Sequence, residues 1–151
     1  MPDYGMLSSG LSSFHPLARN PWDLSKNPGG SSSGAAISAT DGMCAGSIGS
    51  DTGGSVRIPA ALCGLAGIKP TASRIPLTGA FPLSFSQDSI GPLAKTLASC
   101  AILDAVMADE PAKVPEARPV MGLRLGVVRT LVLDALDARS EEHTSELQSH
   151  V

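Results

Sequence analysis

Between residues 34 and 43 small and apolar side chains recur at helical spacing. Ala36, Ala39 and Met43 fall on one stripe, with Ala35, Ile37 and Cys44 beside them. Steps of three and four residues share one face of a 3.6-residue helix. The pattern therefore predicts a buried, small-residue helix over 34–43, with Ser31 to Ser33 at its entrance. A short strand is predicted over 45–50, followed by a tight glycine loop at 51–54. Residues 55–64 read as a short helix with Arg57 polar and Ile58, Ala61 and Leu62 apolar. Pro59 is tolerated there because a first-turn N–H has no helical acceptor to lose. A strand over 65–69 ends at Pro70. Thr96 to Ala108 carries one charge, Asp104, among apolar residues. It predicts a helix capped by Thr96 and stopped by Asp109-Glu110-Pro111. So narrow a polar face predicts burial on most sides. Farther on, 123–128 reads as a strand and 131–138 as the start of another helix.

The intervening stretches are rich in breakers. Asn20-Pro21-Trp22-Asp23 and Asn27-Pro28-Gly29-Gly30 mark 1–28 as irregular, with Trp22 as the anchor of its loop and His15 solvated. Pro76, Gly79, Pro82, Gly91 and Pro92 mark 72–94 as loop, and 111–119 reads as a Pro-rich connector. Composition narrows the picture further. Hydrophobic residues make up 42% of the 151, enough for one core, but aromatics only 3%. The core is therefore expected to consist of Ala, Leu, Ile and Val. A net charge of -3 gives no basic footprint for nucleic acid or an anionic membrane. No apolar run has the length of a membrane-spanning helix, and no signal peptide opens the chain. Cys44, Cys63 and Cys100 are too few and too scattered for a disulfide scaffold or a zinc ribbon. They read as small core residues in apolar surroundings. The expectation is a soluble, cytoplasmic α/β protein.

Residues 29–55 hold 8 Gly and 7 Ser in 27 positions, and several chemistries compete for them. A phosphate-binding P-loop needs Gly-Lys, and the chain has none. Gly30-Ser31-Ser32-Ser33-Gly34 fits the nucleophile-elbow pattern around Ser32, but it lacks a hydrophobic strand before it and a serviceable downstream His. Asp51-Thr52-Gly53 begins like an aspartic-protease loop, but Gly54 stands where that loop has Ser or Thr. Ser32 and Ser33 read more simply as caps of the following helix. Asp51 and Arg57 read as a pair that holds the loop's shape.

A longer match exists. Gly29-Gly30-Ser31-Ser32-Ser33-Gly34, then Gly49 to Ala60 (Gly-Ser-Asp-Thr-Gly-Gly-Ser-Val-Arg-Ile-Pro-Ala), then Cys63-Gly64 and Gly67-Ile68-Lys69-Pro70-Thr71 resemble, in order, the signature of the amidase signature family. Asn20-Pro21-Trp22-Asp23 and Ile90-Gly91-Pro92 are similar to family segments as well. The 24 residues from Ser31 to Ser55 match the family's spacing between two catalytic serines. Ser33 departs from the Gly of many members, a small-for-small change.

The resemblance implies a partial α/β/α fold with a mixed twisted sheet. It also implies hydrolysis of a carboxamide to a carboxylate and ammonia or an amine. A serine hydroxyl is a weak nucleophile until a base takes its proton. The resemblance assigns attack to Ser55 and proton transfer to Ser31, after a cis bond at Gly30–Ser31, with a neutral buried lysine as base. The backbone N–H groups of Thr52, Gly53, Gly54 and Ser55 are the implied oxyanion hole. Glycines let successive amides converge with no Cβ in the way, and the start of the next helix would add its positive end. Gly30, Asp51 and Arg57 are the implied structural support. No metal and no organic cofactor is implied.

None of Lys26, Lys69, Lys95 and Lys113 matches the family's base, which lies upstream of the first Gly-Gly-Ser. The chain accordingly reads as a family fragment short at both ends, with an amidase domain over 1–138, and by itself inactive. Residues 139–151 resemble the translation of a sequencing-library adapter and form an expected artefactual tail. An alternative within the family is the glutaminase subunit of a glutamine-dependent aminoacyl-tRNA amidotransferase. A non-catalytic fragment is an alternative from another class. The implied partners are a small-molecule amide and no nucleic acid or membrane, with a homodimer or, for the amidotransferase, further subunits.

Overall fold

In the computed structural model, residues 7–11, 16–117 and 119–124 are described. The chain divides into two units, Met1–Glu116 and Ala117–Val151, and every element below belongs to the first. The expected helix at 131–138, the tail at 139–151, His15 and most of the expected strand at 123–128 lie outside the described residues.

The elements run α1 (Ser33–Thr40), β1 (Gly46–Asp51), α2 (Arg57–Leu62), β2 (Ala66–Gly67), β3 (Ser89–Ala94) and α3 (Leu97–Met107). The sheet order is β1-β3-β2, and β3 pairs antiparallel with both neighbours. The described strands thus supply only antiparallel pairs of the mixed sheet the resemblance implies. Helices cover the sheet on both sides, the expected layering. A Cβ placed on Gly46 would meet Leu103 of α3, while one on Gly49 would meet Ser32 and Val56. Positions 46 and 49 point to opposite faces because strand side chains alternate. Among the described residues, no helix is long and apolar enough to cross a membrane.

The core is built from small residues, as the scarcity of aromatics requires. Ala36, Val56, Ala60, Cys63 and Leu93 form its buried cluster, with Ala35 and Leu65 against it. Cys63 and Cys100 are buried, as expected of thiols acting as small hydrophobes. Cys44 departs from that expectation. It is half-buried beside the Ser47 and Ser38 hydroxyls, at 3.1 and 3.5 Å.

Central strand β3 falls in the stretch read as loop. Gly91 and Pro92 mimic a turn in sequence, yet neither breaks this ladder. Pro92 accepts a hydrogen bond at its carbonyl from Ile68 N–H, 3.1 Å. In an antiparallel strand a residue's N–H and C=O point the same way. The donor that proline lacks would have faced that same side, just past the end of two-residue β2, so the β1–β3 ladder loses nothing.

Helix α3 starts at its predicted cap, with Thr96 Oγ1 accepting from Ser99 N–H at 3.1 Å. Thr96→Ala should cost about 1 kcal/mol of stability, and Thr96→Ser should restore most of it. Paired urea titrations check this, and equal midpoints for the parent and Thr96→Ala chains would contradict it. The burial expected for α3 is not met: only Cys100 and Ala105 are buried, while Leu97, Ile102 and Val106 are exposed. An apolar composition fixes which residues can be buried, not how many layers stand ready to bury them.

Candidate active site

Two loops converge at one end of the sheet. The peptide bond Gly30–Ser31 is cis, as expected. Ser31 to Ser33 are buried, and Ser32 N–H donates to the Ser55 carbonyl at 3.2 Å. That bond joins residues 23 positions apart and lays the two serine loops side by side. Ser31 Oγ is fully enclosed and has no hydrogen-bond partner among the described residues. Burying a hydroxyl without a partner is costly, roughly 1–3 kcal/mol. Gly30 is needed for the approach: a Cβ there would lie 2.5 Å from both Gly10 N and Leu7 O.

Ser32 and Ser33 do not cap α1, contrary to expectation. The Ser32 hydroxyl donates to Ser50 O at 3.3 Å and that of Ser33 to Gly29 O at 2.7 Å, and α1 begins with no side-chain cap. Ser32 ties this turn to β1, and Ser33 closes the turn on itself, four positions back.

Asp51 organises the second loop. Its side chain is fully enclosed and meets the Arg57 guanidinium through two bonds, Nε to Oδ2 at 3.1 Å and NH2 to Oδ1 at 3.0 Å. Gly54 N–H donates to Oδ1 at 2.7 Å, and Val56 and Arg57 N–H to Oδ2 at 3.1 and 3.4 Å. Burial pushes the carboxyl's pKa up. The Arg57 hydrogen bonds, then the Val56 and Gly54 amides, outweigh burial and hold it below the usual carboxylate range. The expected Asp51–Arg57 pair is therefore present.

This geometry redistributes the implied oxyanion hole. Gly54 N–H is committed to Asp51, and so are the amides at the start of α2, whose positive end the carboxylate answers. Thr52, Gly53 and Ser55 keep amides with no protein acceptor among the described residues. Gly53 is open, with nothing within 4 Å of where a Cβ would stand. Gly54 has a φ of 130°, a conformation that favours glycine.

Asp88 and Ser89 join the site without any local signal in the sequence. Asp88 accepts a very short hydrogen bond from Thr52 Oγ1. Its other oxygen accepts from Leu83 and Ser84 N–H at 2.8 and 2.9 Å. One carboxylate thus fixes the 77–88 loop to the residue that opens the glycine turn. Between them lies a cavity of about 230 Å³ reached by Ser55, Thr52 and Ser50. Leu77, Phe81, Leu83, Phe85 and Ile90 supply its apolar wall.

Behind Ser55, the far end of α2 is pinned by the 20–23 turn. Asn20 Nδ2 donates to Leu62 O at 2.7 Å, and Trp22 Nε1 to Cys63 O at 2.8 Å. These are last-turn carbonyls that a helix leaves unpaired. Trp22 anchors its loop as expected, but by hydrogen bonding, since its ring is 73% exposed.

Comparison with known proteins agrees with the motifs. The family model Amidase matches residues 1–150. A glutamyl-tRNA(Gln) amidotransferase A-subunit of Thioalkalivibrio sulfidiphilus is 40% identical over 151 residues, covering 91% of this chain and 31% of that protein. An indoleacetamide hydrolase of Agrobacterium vitis is 45% identical over 120 residues, 80% of this chain and 26% of that one. The crystal structure of the glutamyl-tRNA(Gln) amidotransferase A-subunit from Thermotoga maritima is 46% identical, with a TM-score of 0.65 over 69% of this chain and 23% of that one. The chain spans about three-tenths of the length of the curated relatives it matches.

Proposed function

The chain belongs to the amidase family, and from that premise we propose that it carries the nucleophile half of an amide-hydrolysing site. Ser55 attacks the carboxamide carbonyl, and Ser31 passes its proton toward a base. The amides of Thr52, Gly53 and Ser55 receive the negative charge that develops on the carbonyl oxygen. One such donor is worth about 3 kcal/mol of transition-state stabilisation. Ammonia or an amine leaves, and water then frees the acid from Ser55. The observation that carries the reading is the 3.2 Å bond from Ser32 N–H to the Ser55 carbonyl, which holds the two serine loops together. The unpartnered Ser31 hydroxyl supports it, since a relay group needs a free lone pair and a free proton.

No lysine of this chain matches the family's base, so on this reading the 151-residue chain does not turn over by itself. Without its base a serine relay keeps little activity. The identity to the amidotransferase chain of Thioalkalivibrio sulfidiphilus favours a second reading, release of ammonia from glutamine for a partner protein. Ammonia production from glutamine that depends on such a partner would select it.

The test is covalent labelling. A fluorophosphonate should form an adduct on Ser55, slowly at neutral pH and faster as rising pH replaces the missing base. Ser55→Ala should abolish the adduct, and Ser8→Ala, at an exposed serine outside the cavity, should leave it unchanged. Peptide mass spectrometry that finds the adduct spread over exposed serines, with none on Ser55, would refute the proposal.

A further inference from the structure

We propose that the cavity beside Ser55 binds the acyl side of its substrate and selects an uncharged carboxamide with a flat apolar arm, read at one point by the Ser89 hydroxyl. This rests on the reading of Ser55 as the reacting group, since that residue sets which part of a substrate enters. Three features of the cavity carry it.

The first is size. A cavity of about 150 Å³ accepts a benzene ring. At about 230 Å³ this one holds a ring and a short arm ending at Ser55. The second is wall chemistry. Leu77, Phe81, Leu83, Phe85 and Ile90 face the space, and among the described residues Asp88 is the only ionisable one lining it. Asp88 is held as a carboxylate by the Thr52 hydroxyl and two backbone amides. Its charge repels an anionic acyl group, and no described Lys, Arg or His lines the cavity to attract one. An acyl arm of net negative charge, succinamate's among them, is disfavoured by that charge, and zwitterionic glutamine must strip water from two charged groups against a wall that offers a partner only to its ammonium.

The third is Ser89. It lines the cavity, is 5% exposed, and its Oγ has no partner among the described residues. A buried hydroxyl without a partner is a place where a ligand's donor or acceptor gains most. Pairing of Ser89 with Asp51 across the β1–β3 ladder keeps that hydroxyl fixed relative to the glycine loop.

Binding can be read without turnover, on the whole chain carrying Ser55→Ala. Phenylacetamide, succinamate and L-glutamine are titrated by saturation-transfer NMR. Phenylacetamide should bind weakly, about millimolar, and about tenfold more tightly than either charged amide. Ala80→Trp, which fills the cavity from an exposed position, should abolish its binding with the circular dichroism spectrum unchanged. Ser89→Ala should weaken phenylacetamide about fivefold and leave toluene unaffected. Equal or tighter binding of glutamine or succinamate overturns the proposal, and so does phenylacetamide binding that survives Ala80→Trp. Selective binding in a chain whose Ser55 takes no fluorophosphonate would sink the catalytic reading and leave the cavity's chemistry standing. A labelled Ser55 without selectivity would do the reverse.

Discussion

Asp51→Ala is expected to destabilise the fold by about 3–5 kcal/mol and to abolish fluorophosphonate labelling of Ser55 together with it. The carboxylate receives the Arg57 guanidinium and three backbone amides in an enclosed site. Removing it strands every donor at once, and the Gly54, Val56 and Arg57 amides then have nothing to converge on. Arg57→Ala should cost less, about 1–3 kcal/mol, because the Arg57 side chain is half exposed and the amides still answer Asp51. The pH dependence follows from the same bonds. The folded-state pKa of Asp51 lies below its unfolded value of about 3.9. The stability it contributes is complete above that value and is lost as pH falls through it toward the lower, folded pKa. Urea midpoints measured from pH 7 down to pH 2 should fall steeply at the acid end for the parent chain. They should fall less for Asp51→Ala, where the limb left comes from other carboxyls whose pKa values are also lowered, among them Asp23, Asp88 and Glu110. Parallel acid limbs in the two proteins would show that Asp51 is not the loop's organiser.

Gly91→Ala is expected to cost about 3 kcal/mol or to prevent folding. A Cβ on Gly91 would overlap the Ile68 carbonyl oxygen and lie 3.2 Å from Pro70 Cδ. Those atoms belong to the backbone and a proline ring, so no rotamer change relieves the contact. Gly91 stands opposite Gly49 in the β1–β3 register, where a Cβ would meet Ser32 instead. The facing glycines thin the sheet at one point, and the Ser31–Ser33 turn settles into the space. Gly53→Ala is the control. Nothing lies within 4 Å of its Cβ position, so stability should change by no more than about 0.5 kcal/mol. Comparable losses at positions 91 and 53 would contradict the steric argument.

The same residues show where sequence reasoning reaches and where it stops. Helix α3 was legible because Thr96 and Pro111 act on their immediate neighbours. The Ser31, Asp51 and Ser55 loops were legible through a long motif whose order and spacing are specific. Strand β3 was not, because the tolerance of Gly91 and Pro92 depends on what faces them across the sheet. The capping role expected of Ser32 failed for a related reason: its acceptor at Ser50 lies on β1 and is reached only once the chain has folded, while Ser33 turns to Gly29, four positions back. Asp88 and Ser89 carry no periodicity or motif of their own. Their place beside Thr52 is set by the register of β3 against β1.

The bonds from Asn20 and Trp22 to the end of α2 have a mechanical consequence. Helix α2 is six residues long, a strut of about 9 Å with Ser55 just before its first turn. Because its far end is clamped, tilting the strut re-aims the serine. On the role proposed for Ser55, substitutions in the 20–23 turn should therefore slow its labelling from a distance, without altering any atom of the two serine loops.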